Sequence, residues 1–124
     1  MKILIVDDQP ETRCSLIRLC ERNDDVQVVG EAACGMAAID AAGKLNPDIM
    51  LVDVELPDMS GFELLRAVGE DAHPLGIMVT KCADHAVRAF AEGAIDYLVA
   101  PVTPERFDRA MARARHRFDR ALPG

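Results

Sequence analysis

The feature that most constrains this chain is an alternation of short apolar runs with stretches of helical periodicity along its whole length. The runs are continuous instead of alternating with polar residues, which is typical of strands buried on both faces of a parallel sheet. Five runs are predicted to be strands: Ile3–Val6, Val26–Val29, Ile49–Val52, Ile77–Thr80 and Ile95–Val99. Five such βα units in a row predict an α/β fold with a doubly wound parallel sheet.

Helix boundaries are predicted from capping residues, prolines and glycines. Ser60 with Glu63 forms a capping box for the third helix, and Thr103 caps the last helix just before Pro104. Asp84 is predicted to cap the fourth helix. The other predicted limits are a first helix from Pro10, a second over Met36–Leu45, a third through about Val68 and a fourth stopped by Gly93.

Length and composition predict one globular domain. The chain has 124 residues, half of them apolar and 28% charged. We expect residues 1–121 to form the domain and residues 122–124 to begin a linker or to be its C-terminal end. No apolar run approaches the ~20 residues that span a bilayer, so no membrane contact is predicted. Four cysteines without a C-x-x-C pair favour reduced thiols and a cytoplasmic location.

Charge is distributed unevenly along the chain. Residues 1–100 hold 8 basic and 18 acidic residues, whereas residues 101–124 hold 6 basic and 3 acidic residues. An acidic body disfavours direct binding of nucleic acid. The basic last helix is interpreted as a solvated face, with a docking surface as the alternative.

Acidic residues follow two of the predicted strands. Asp7 and Asp8 follow the first strand, and Asp53 follows the third. In doubly wound sheets, sites form beyond the carboxyl ends of the strands near the switch in strand order. With the order 2-1-3-4-5, the first and third strands are neighbours and the three carboxylates converge. The alternative is that Asp7 and Asp8 only cap the first helix and Asp53 only ends a strand.

Three converging carboxylates would repel one another strongly. Each pair costs about 4 kcal/mol at ~4 Å and an effective dielectric constant of ~20. A hard divalent cation or partial protonation would relieve that repulsion. Ligation by oxygen alone favours Mg²⁺, with Mn²⁺ possible. One carboxylate beside the metal could then act as a nucleophile toward phosphorus.

These motifs resemble the response-regulator receiver domain, the phosphoacceptor half of two-component signalling. The resemblance covers residues 1–119 and is most similar to receivers that precede LytTR-type DNA-binding domains. It implies a flavodoxin-like (βα)5 fold. The residues that carry it are Ile5-Val6-Asp7-Asp8, Asp53 through Gly61, Val79-Thr80, Ala86 through Phe90, Gly93 through Val99, and Pro101.

The resemblance implies a role for each matching position. Asp53 would be the phosphoacceptor. Mg²⁺ would be bound by Asp8, Asp53 and the backbone carbonyl of Glu55, with Asp7 acting through water. Thr80 would hydrogen-bond the phosphoryl group, and Tyr97 would turn inward as Thr80 moves. The peptide bond before Pro101 would be cis.

The resemblance also implies partners and an output. The phosphoryl donor would be a sensor histidine kinase or a phosphotransfer protein, and the domain would be a regulator of transcription instead of an enzyme. The output surface would lie on the fourth helix, fifth strand and fifth helix. A homodimer could form there through opposite charges paired across a two-fold axis. The charged residues that could pair there are Arg88, Asp96, Arg106, Asp108 and Arg113.

One position departs from the family pattern. Receivers carry a lysine immediately before the proline, whereas this chain has Ala100. Lys81, directly after Thr80, could supply the ammonium from the neighbouring strand end and would then lie near the Asp53 carboxylate. It could instead point into solvent or pair with Glu55.

Three other functions compete with phosphoryl acceptance. A haloacid-dehalogenase-type phosphatase needs a second aspartate two residues after its nucleophile, but Gln9 and Pro10 stand there. A flavodoxin-like FMN carrier would not place two aspartates against a phosphate. A pseudo-receiver, which interacts without depending on phosphorylation, is the remaining alternative because of Ala100.

Overall fold

The sheet has five parallel strands in the order β2-β1-β3-β4-β5, as predicted. The computed structural model describes residues 1–69 and 74–121, so the predicted boundary at 122–124 lies outside the described residues. The strands are β1 Lys2–Val6, β2 Gln27–Ala32, β3 Ile49–Asp53, β4 Leu75–Thr80 and β5 Asp96–Val99. The helices are α1 Pro10–Glu21, α2 Gly35–Leu45, α3 Gly61–Gly69, α4 Ala86–Ala91 and α5 Pro104–Ala121.

Helices cover both faces of the sheet, which explains why the strands are apolar without interruption. Along β1, Ile3 and Ile5 pack on the side of α1 and α5, where Phe107 is fully buried. Leu4 and Val6 face the opposite side, where α2, α3 and α4 pack and Phe62 is fully buried. Alternate residues of a strand point to opposite faces, so both sets must be apolar.

Local helix signals are confirmed at two of the three predicted caps. The backbone N–H of Glu63 donates to Ser60 Oγ at 3.1 Å, and that of Arg106 donates to Thr103 Oγ1 at 3.2 Å. The predicted cap at Asp84 is wrong. Asp84 lies inside a 3₁₀ turn, Ala83–His85, and α4 begins only at Ala86. This turn takes up the residues that the sequence pattern had given to the first turn of the helix.

The edge strand β2 runs further than predicted. It pairs with β1 as far as Ala32, and the register of this pairing shifts between Ile3 and Leu4 of β1. Its central residues are only partly buried, and it includes Gly30 and Glu31. An apolar run therefore underestimates its length, because an edge strand does not need apolar side chains throughout.

Candidate functional site

The ends of β1 and β3 bring three carboxylates together, as predicted. Val6 pairs with Val52 in the sheet, so the residues that follow leave it side by side. Asp7, Asp8 and Asp53 each offer a carboxylate oxygen within 4.8 Å of the others, an arrangement that could hold a metal ion. We call these three residues the acidic triad. Asp7 is 3% exposed, Asp53 is partly exposed and Asp8 is open to solvent.

Burial and mutual repulsion make the charged form of the triad costly. The pKa of Asp53 is raised to about 6, and burial is the largest cause. The charges of Asp7, Asp8 and Glu55 raise this pKa further, whereas the Glu55 N–H, which donates to Asp53 Oδ1 at 3.1 Å, lowers it. Burial likewise raises the pKa of Asp7, although the Gln9 N–H donates to its Oδ1 at 2.8 Å. A bound divalent cation would stabilise the fully ionised triad.

Arg13 supports the triad from α1, a role that sequence reasoning missed. Its Nη1 donates to the backbone oxygen of Asp7 at 2.6 Å, and its Nε donates to Glu31 Oε1 at 3.2 Å. Its positive charge is one of the two that lower the pKa of Asp7; the other belongs to Lys81. An arginine one turn into a helix that follows two aspartates is the only sequence signal of this contact.

The β3–α3 loop, which carries Glu55, is fastened to α2 by Asp58. The Asp58 carboxylate accepts hydrogen bonds from the backbone N–H groups of Gly35 at 2.7 Å and Met36 at 2.9 Å. These two bonds hold the pKa of Asp58 below its ordinary value. The sequence gives no sign of this role, because a cap supplied from 22 residues away leaves no local pattern.

Thr80 and Tyr97 meet at Cys82. The N–H of Cys82 donates to Thr80 Oγ1 at 3.1 Å, and the Tyr97 hydroxyl donates to the Cys82 carbonyl oxygen. The N–H of His85 donates to the Tyr97 hydroxyl at 3.2 Å. Thr80 and Tyr97 are each 7% exposed, so the tyrosine already lies inward in this structure. Cys82 was not predicted to take part, since its contribution is made by its backbone.

Lys81 and Ala100 lie beside each other at the ends of β4 and β5. Lys81 Nζ donates to Gln9 Oε1 at 2.8 Å, so the ammonium lies against the β1–α1 loop. The Ala100–Pro101 peptide bond is cis, as the resemblance implies. A cavity of about 310 Å³ separates this corner from α1. Its lining includes Glu11, Thr12, Ser15, Lys81, Ala100 and Pro101.

On the α4–β5–α5 face, Asp96 of β5 is engaged within the chain by two arginines of α5. Asp96 is 1% exposed, and Arg106 Nη2 donates to its Oδ1 at 2.5 Å while Nη1 donates to Oδ2 at 3.2 Å. Arg113 adds an ion pair at 3.5 Å to the same carboxylate. Asp96 is therefore not open for the pairing across a two-fold axis that its sequence position suggested. Apolar side chains are exposed on the same face instead: Val87 (84%), Phe90 (50%) and Val99 (40%).

The helices of the described residues range up to α5, which is the longest. In those residues, no helix combines the length and the apolar character that crossing a bilayer requires. This agrees with the composition of the longest helix, α5, whose surface is rich in arginine.

Comparison with known proteins identifies relatives of the whole domain. The Transcriptional regulatory protein BtsR of Salmonella typhi is 36% identical over 115 residues, which cover 93% of this chain and 48% of that protein. The chain thus spans about half the length of the curated relatives it matches. BtsR of Escherichia coli K12 is 34% identical over the same span.

Solved structures agree with these relatives. A two-component response regulator of the LuxR family from Aurantimonas is 30% identical with a TM-score of 0.83, covering 93% of this chain and 85% of that chain. The response regulator domain of Thermotoga maritima CheB is 26% identical with a TM-score of 0.83, covering 99% and 98%. The family model described as the response regulator receiver domain matches residues 3–112. The chain belongs to the response regulator receiver domain family.

Proposed function

We propose that this domain accepts a phosphoryl group on Asp53 from a phosphohistidine of a sensor histidine kinase or phosphotransfer protein. The observation that carries the proposal is the acidic triad, whose oxygens lie within 4.8 Å of one another at the carboxyl ends of adjacent strands. Such a cluster is costly unless a cation shares it. A domain of this family with such a cluster is suited to signalling through phosphorylation, and it would assist its own phosphorylation and dephosphorylation.

Mg²⁺ fits this donor set, with Mn²⁺ as a substitute, because hard oxygen ligands and open positions for water suit both ions. Asp8, Asp53 and the backbone carbonyl of Glu55 would bind it directly. Asp7, which is buried and held by Gln9 and Arg13, would act through water. When bound, the ion would neutralise negative charge on the phosphoryl group during transfer.

In the transfer step, an oxygen of the Asp53 carboxylate attacks phosphorus in line with the leaving nitrogen. An O–P bond forms and the P–N bond breaks, and its electron pair returns to the donor imidazole, which takes a proton from solvent. The product is an acyl phosphate on Asp53. Asp53 suits this role because it is the triad member that ends a central strand and is partly exposed.

Thr80 and Tyr97 would transmit the event to the output surface. The hydroxyl of Thr80 is the side-chain donor at the end of β4, one residue beyond Val79, which pairs with Asp53. Turning that hydroxyl toward a phosphoryl oxygen would release the Cys82 N–H. Because Tyr97 bonds the carbonyl of the same residue, the change would reach β5 and α4.

The α4–β5–α5 face would form a weak homodimer that phosphorylation tightens. Exposed Val87, Phe90 and Val99 supply apolar area there. We expect Val87→Asp to abolish the mass increase seen by sedimentation after phosphorylation. An unchanged mass increase in this variant would exclude Val87 from the contact.

The acidic body of the domain disfavours direct DNA binding, so any effect on transcription would require a further module.

The test of the function is the intact mass after incubation with Mg²⁺ and acetyl phosphate. Wild type should gain one phosphoryl group, while Asp53→Asn should gain none. Asp48→Asn is a suitable control, since Asp48 is an aspartate at the opposite end of β3. An equal gain in wild type and Asp53→Asn would refute Asp53 as the acceptor.

Ala100 keeps one alternative open, a pseudo-receiver that acts through its surface without phosphorylation. Its short side chain brings no charge to the triad. That alternative predicts no mass gain in wild type and no thermal stabilisation by Mg²⁺ at tens of millimolar.

A further inference from the structure

We propose that Lys81 is the cation that contacts the phosphoryl group on Asp53, and that Gln9 holds this lysine at the rim of the site beforehand. The inference rests on the proposed function, since it concerns the same phosphoryl group. Gln9 thereby restrains Lys81 before transfer, and Lys81 is a catalytic residue that touches the transferred group.

A phosphoryl group would bring nearly two further negative charges to a site that is already acidic. The charges that act on Asp53 are those of Asp7, Asp8 and Glu55, all of the same sign. One divalent cation cannot neutralise the triad and the incoming group together. A protein cation within reach is therefore needed to stabilise the transfer and its product.

Two positively charged side chains, those of Arg13 and Lys81, lower the pKa of Asp7. Of these two, only Lys81 is available to contact a phosphoryl group. Arg13 is 19% exposed and is already bonded to the Asp7 backbone oxygen and to Glu31. Lys81 is exposed, and its described bond is to the neutral amide oxygen of Gln9. An ammonium has three donors on a flexible stem, and a charged phosphoryl oxygen is a stronger acceptor than an amide.

The position of Lys81 just after β4 and the space around its side chain favour a turn of its ammonium toward the phosphoryl group. Asp53 pairs with Val79, so Lys81 begins two residues beyond the position opposite the phosphoacceptor. The N–H of Ala100 donates to the Thr80 oxygen at 2.7 Å, which sets the short alanine beside Lys81. The cavity of about 310 Å³ lined by both residues gives the lysine stem room to turn.

During transfer Lys81 remains protonated and donates hydrogen bonds to a non-bridging phosphoryl oxygen. The O–P bond to Asp53 forms and the donor P–N bond breaks as described above, and Lys81 gives up no proton. Its bond to Gln9 Oε1 is exchanged for the bond to the phosphoryl oxygen, and the Gln9 amide is then hydrated. Gln9 therefore competes with the phosphoryl group for the same ammonium.

Beryllofluoride with Mg²⁺, which stands in for the phosphoryl group, provides a binding test by ¹⁹F NMR. We expect Lys81→Ala to weaken its binding by roughly tenfold or more, because the protein cation that donates to the phosphoryl oxygens is lost. Gln9→Ala should tighten it by about two- to fivefold, the range of an exposed polar contact. The double variant should match Lys81→Ala alone. Lys44→Ala is the control, since it removes an exposed lysine that pairs with Asp40 on α2.

Two further measurements separate contact from a general structural effect. In an amine-acylation experiment read by mass spectrometry, beryllofluoride should protect Lys81 and leave Lys44 unchanged. In the Lys81→Ala background, Ala100→Lys should restore binding, whereas Ala100→Met, which has a similar stem without the charge, should not.

The outcomes distinguish this inference from the proposed function. If wild type binds beryllofluoride and Lys81→Ala behaves like Lys44→Ala, the assignment of Lys81 is wrong while Asp53 remains the acceptor. Equal effects of Ala100→Lys and Ala100→Met would overturn the need for a cation at this corner. Failure of wild type both to bind beryllofluoride and to gain a phosphoryl group would overturn the function and the inference together.

Discussion

Tyr97 donates a hydrogen bond from its hydroxyl to the carbonyl oxygen of Cys82, a residue whose N–H donates to Thr80 Oγ1 at 3.1 Å. Thr80 and Tyr97 are thus hydrogen-bonded to the backbone N–H and the backbone carbonyl of the same residue. A displacement of Thr80 must shift Cys82 or break one of these bonds. The β4–α4 loop therefore links the end of β4, which lies beside Asp53 of the acidic triad, to β5.

The first prediction concerns this connection. Tyr97→Phe keeps the buried ring but removes the hydroxyl, so the Cys82 carbonyl and the His85 N–H each lose a partner. We expect the free energy of unfolding to fall by about 1 to 3 kcal/mol, because two hydrogen bonds are lost, each contributing about 0.5 to 1.5 kcal/mol. Hydrogen exchange at the His85 amide should become faster, while exchange in β1 should not change. Identical exchange at His85 in both proteins would contradict the proposed link.

The second prediction concerns the buried ion pair of Asp96 and Arg106. Burial of Asp96 raises its pKa, but the hydrogen bonds from Arg106 and the Tyr97 N–H and the charges of Arg106 and Arg113 outweigh burial, so the net pKa lies below its ordinary value. A lowered folded-state pKa contributes stability above the unfolded-state pKa of ~3.9, and that stability is lost as pH falls through the folded-state value.

Wild type should therefore exceed Asp96→Asn in free energy of unfolding by about 1 to 2 kcal/mol at pH 7, allowing for the partly exposed Arg106. The difference should shrink below about pH 4, because the unfolded-state carboxylate takes up a proton there before the folded-state carboxylate does. Urea denaturation at several pH values measures it, with Asp40→Asn as the exposed control. A difference that stays constant from about pH 7 to about pH 3 would show that the charge of Asp96 is not the stabilising feature.

Sequence patterns predicted the structural features that are set by neighbouring residues in the chain, or by a rule that holds for parallel sheets in general. Continuous apolar runs located the strands, and the rule for the carboxyl ends of parallel strands predicted that Asp7, Asp8 and Asp53 lie together. The caps at Ser60 and Thr103 were predictable because cap and helix are adjacent in the chain. Recognition of the receiver family from the same motifs is confirmed by the family match.

The features that were missed depend on contacts between distant residues. Asp58 caps a helix that begins 23 residues earlier, and Lys81 bonds Gln9 across 72 residues. Asp96 was interpreted as an interface charge because its ion pair with Arg106 becomes visible only when β5 packs on α5. Spacing along the chain carries no information about such pairs, so no pattern could have identified them.

The third prediction concerns Asp58 as the support of the β3–α3 loop. Asp58→Ala removes the two acceptors that fasten this loop to Gly35 and Met36. The backbone carbonyl of Glu55 would then be less well positioned, and we expect weaker Mg²⁺ binding by calorimetry. Asp58→Asn should retain much of the affinity, because asparagine is also a good N-terminal cap. Equal affinity of Asp58→Ala and wild type would mean that the loop holds its shape without this cap.

The last prediction concerns the energetic cost of the acidic triad. Burial, together with the charges of Asp7, Asp8 and Glu55, raises the pKa of Asp53 to about 6. A raised folded-state pKa gives stability that is complete below the unfolded-state pKa of ~3.9 and is lost as pH rises through the folded-state value. In the presence of a chelator, the metal-free wild type should therefore lose about 1 to 2 kcal/mol between about pH 4 and about pH 7, after allowance for the partial exposure of Asp53.

Asp53→Asn removes both the charge and its titration. We expect this variant to be more stable than wild type at about pH 7 in chelator, with the difference disappearing near about pH 4. Added Mg²⁺ should stabilise wild type by mass action and reverse the order at neutral pH, because the asparagine variant offers one carboxylate fewer to the ion. Thermal and urea denaturation with and without Mg²⁺ measure these differences, and Asp40→Asn serves as the control, since Asp40 is an exposed aspartate on α2. A metal-free Asp53→Asn protein less stable than wild type at neutral pH would contradict this account, because Asp53 would then be stabilised in its charged form by the protein alone.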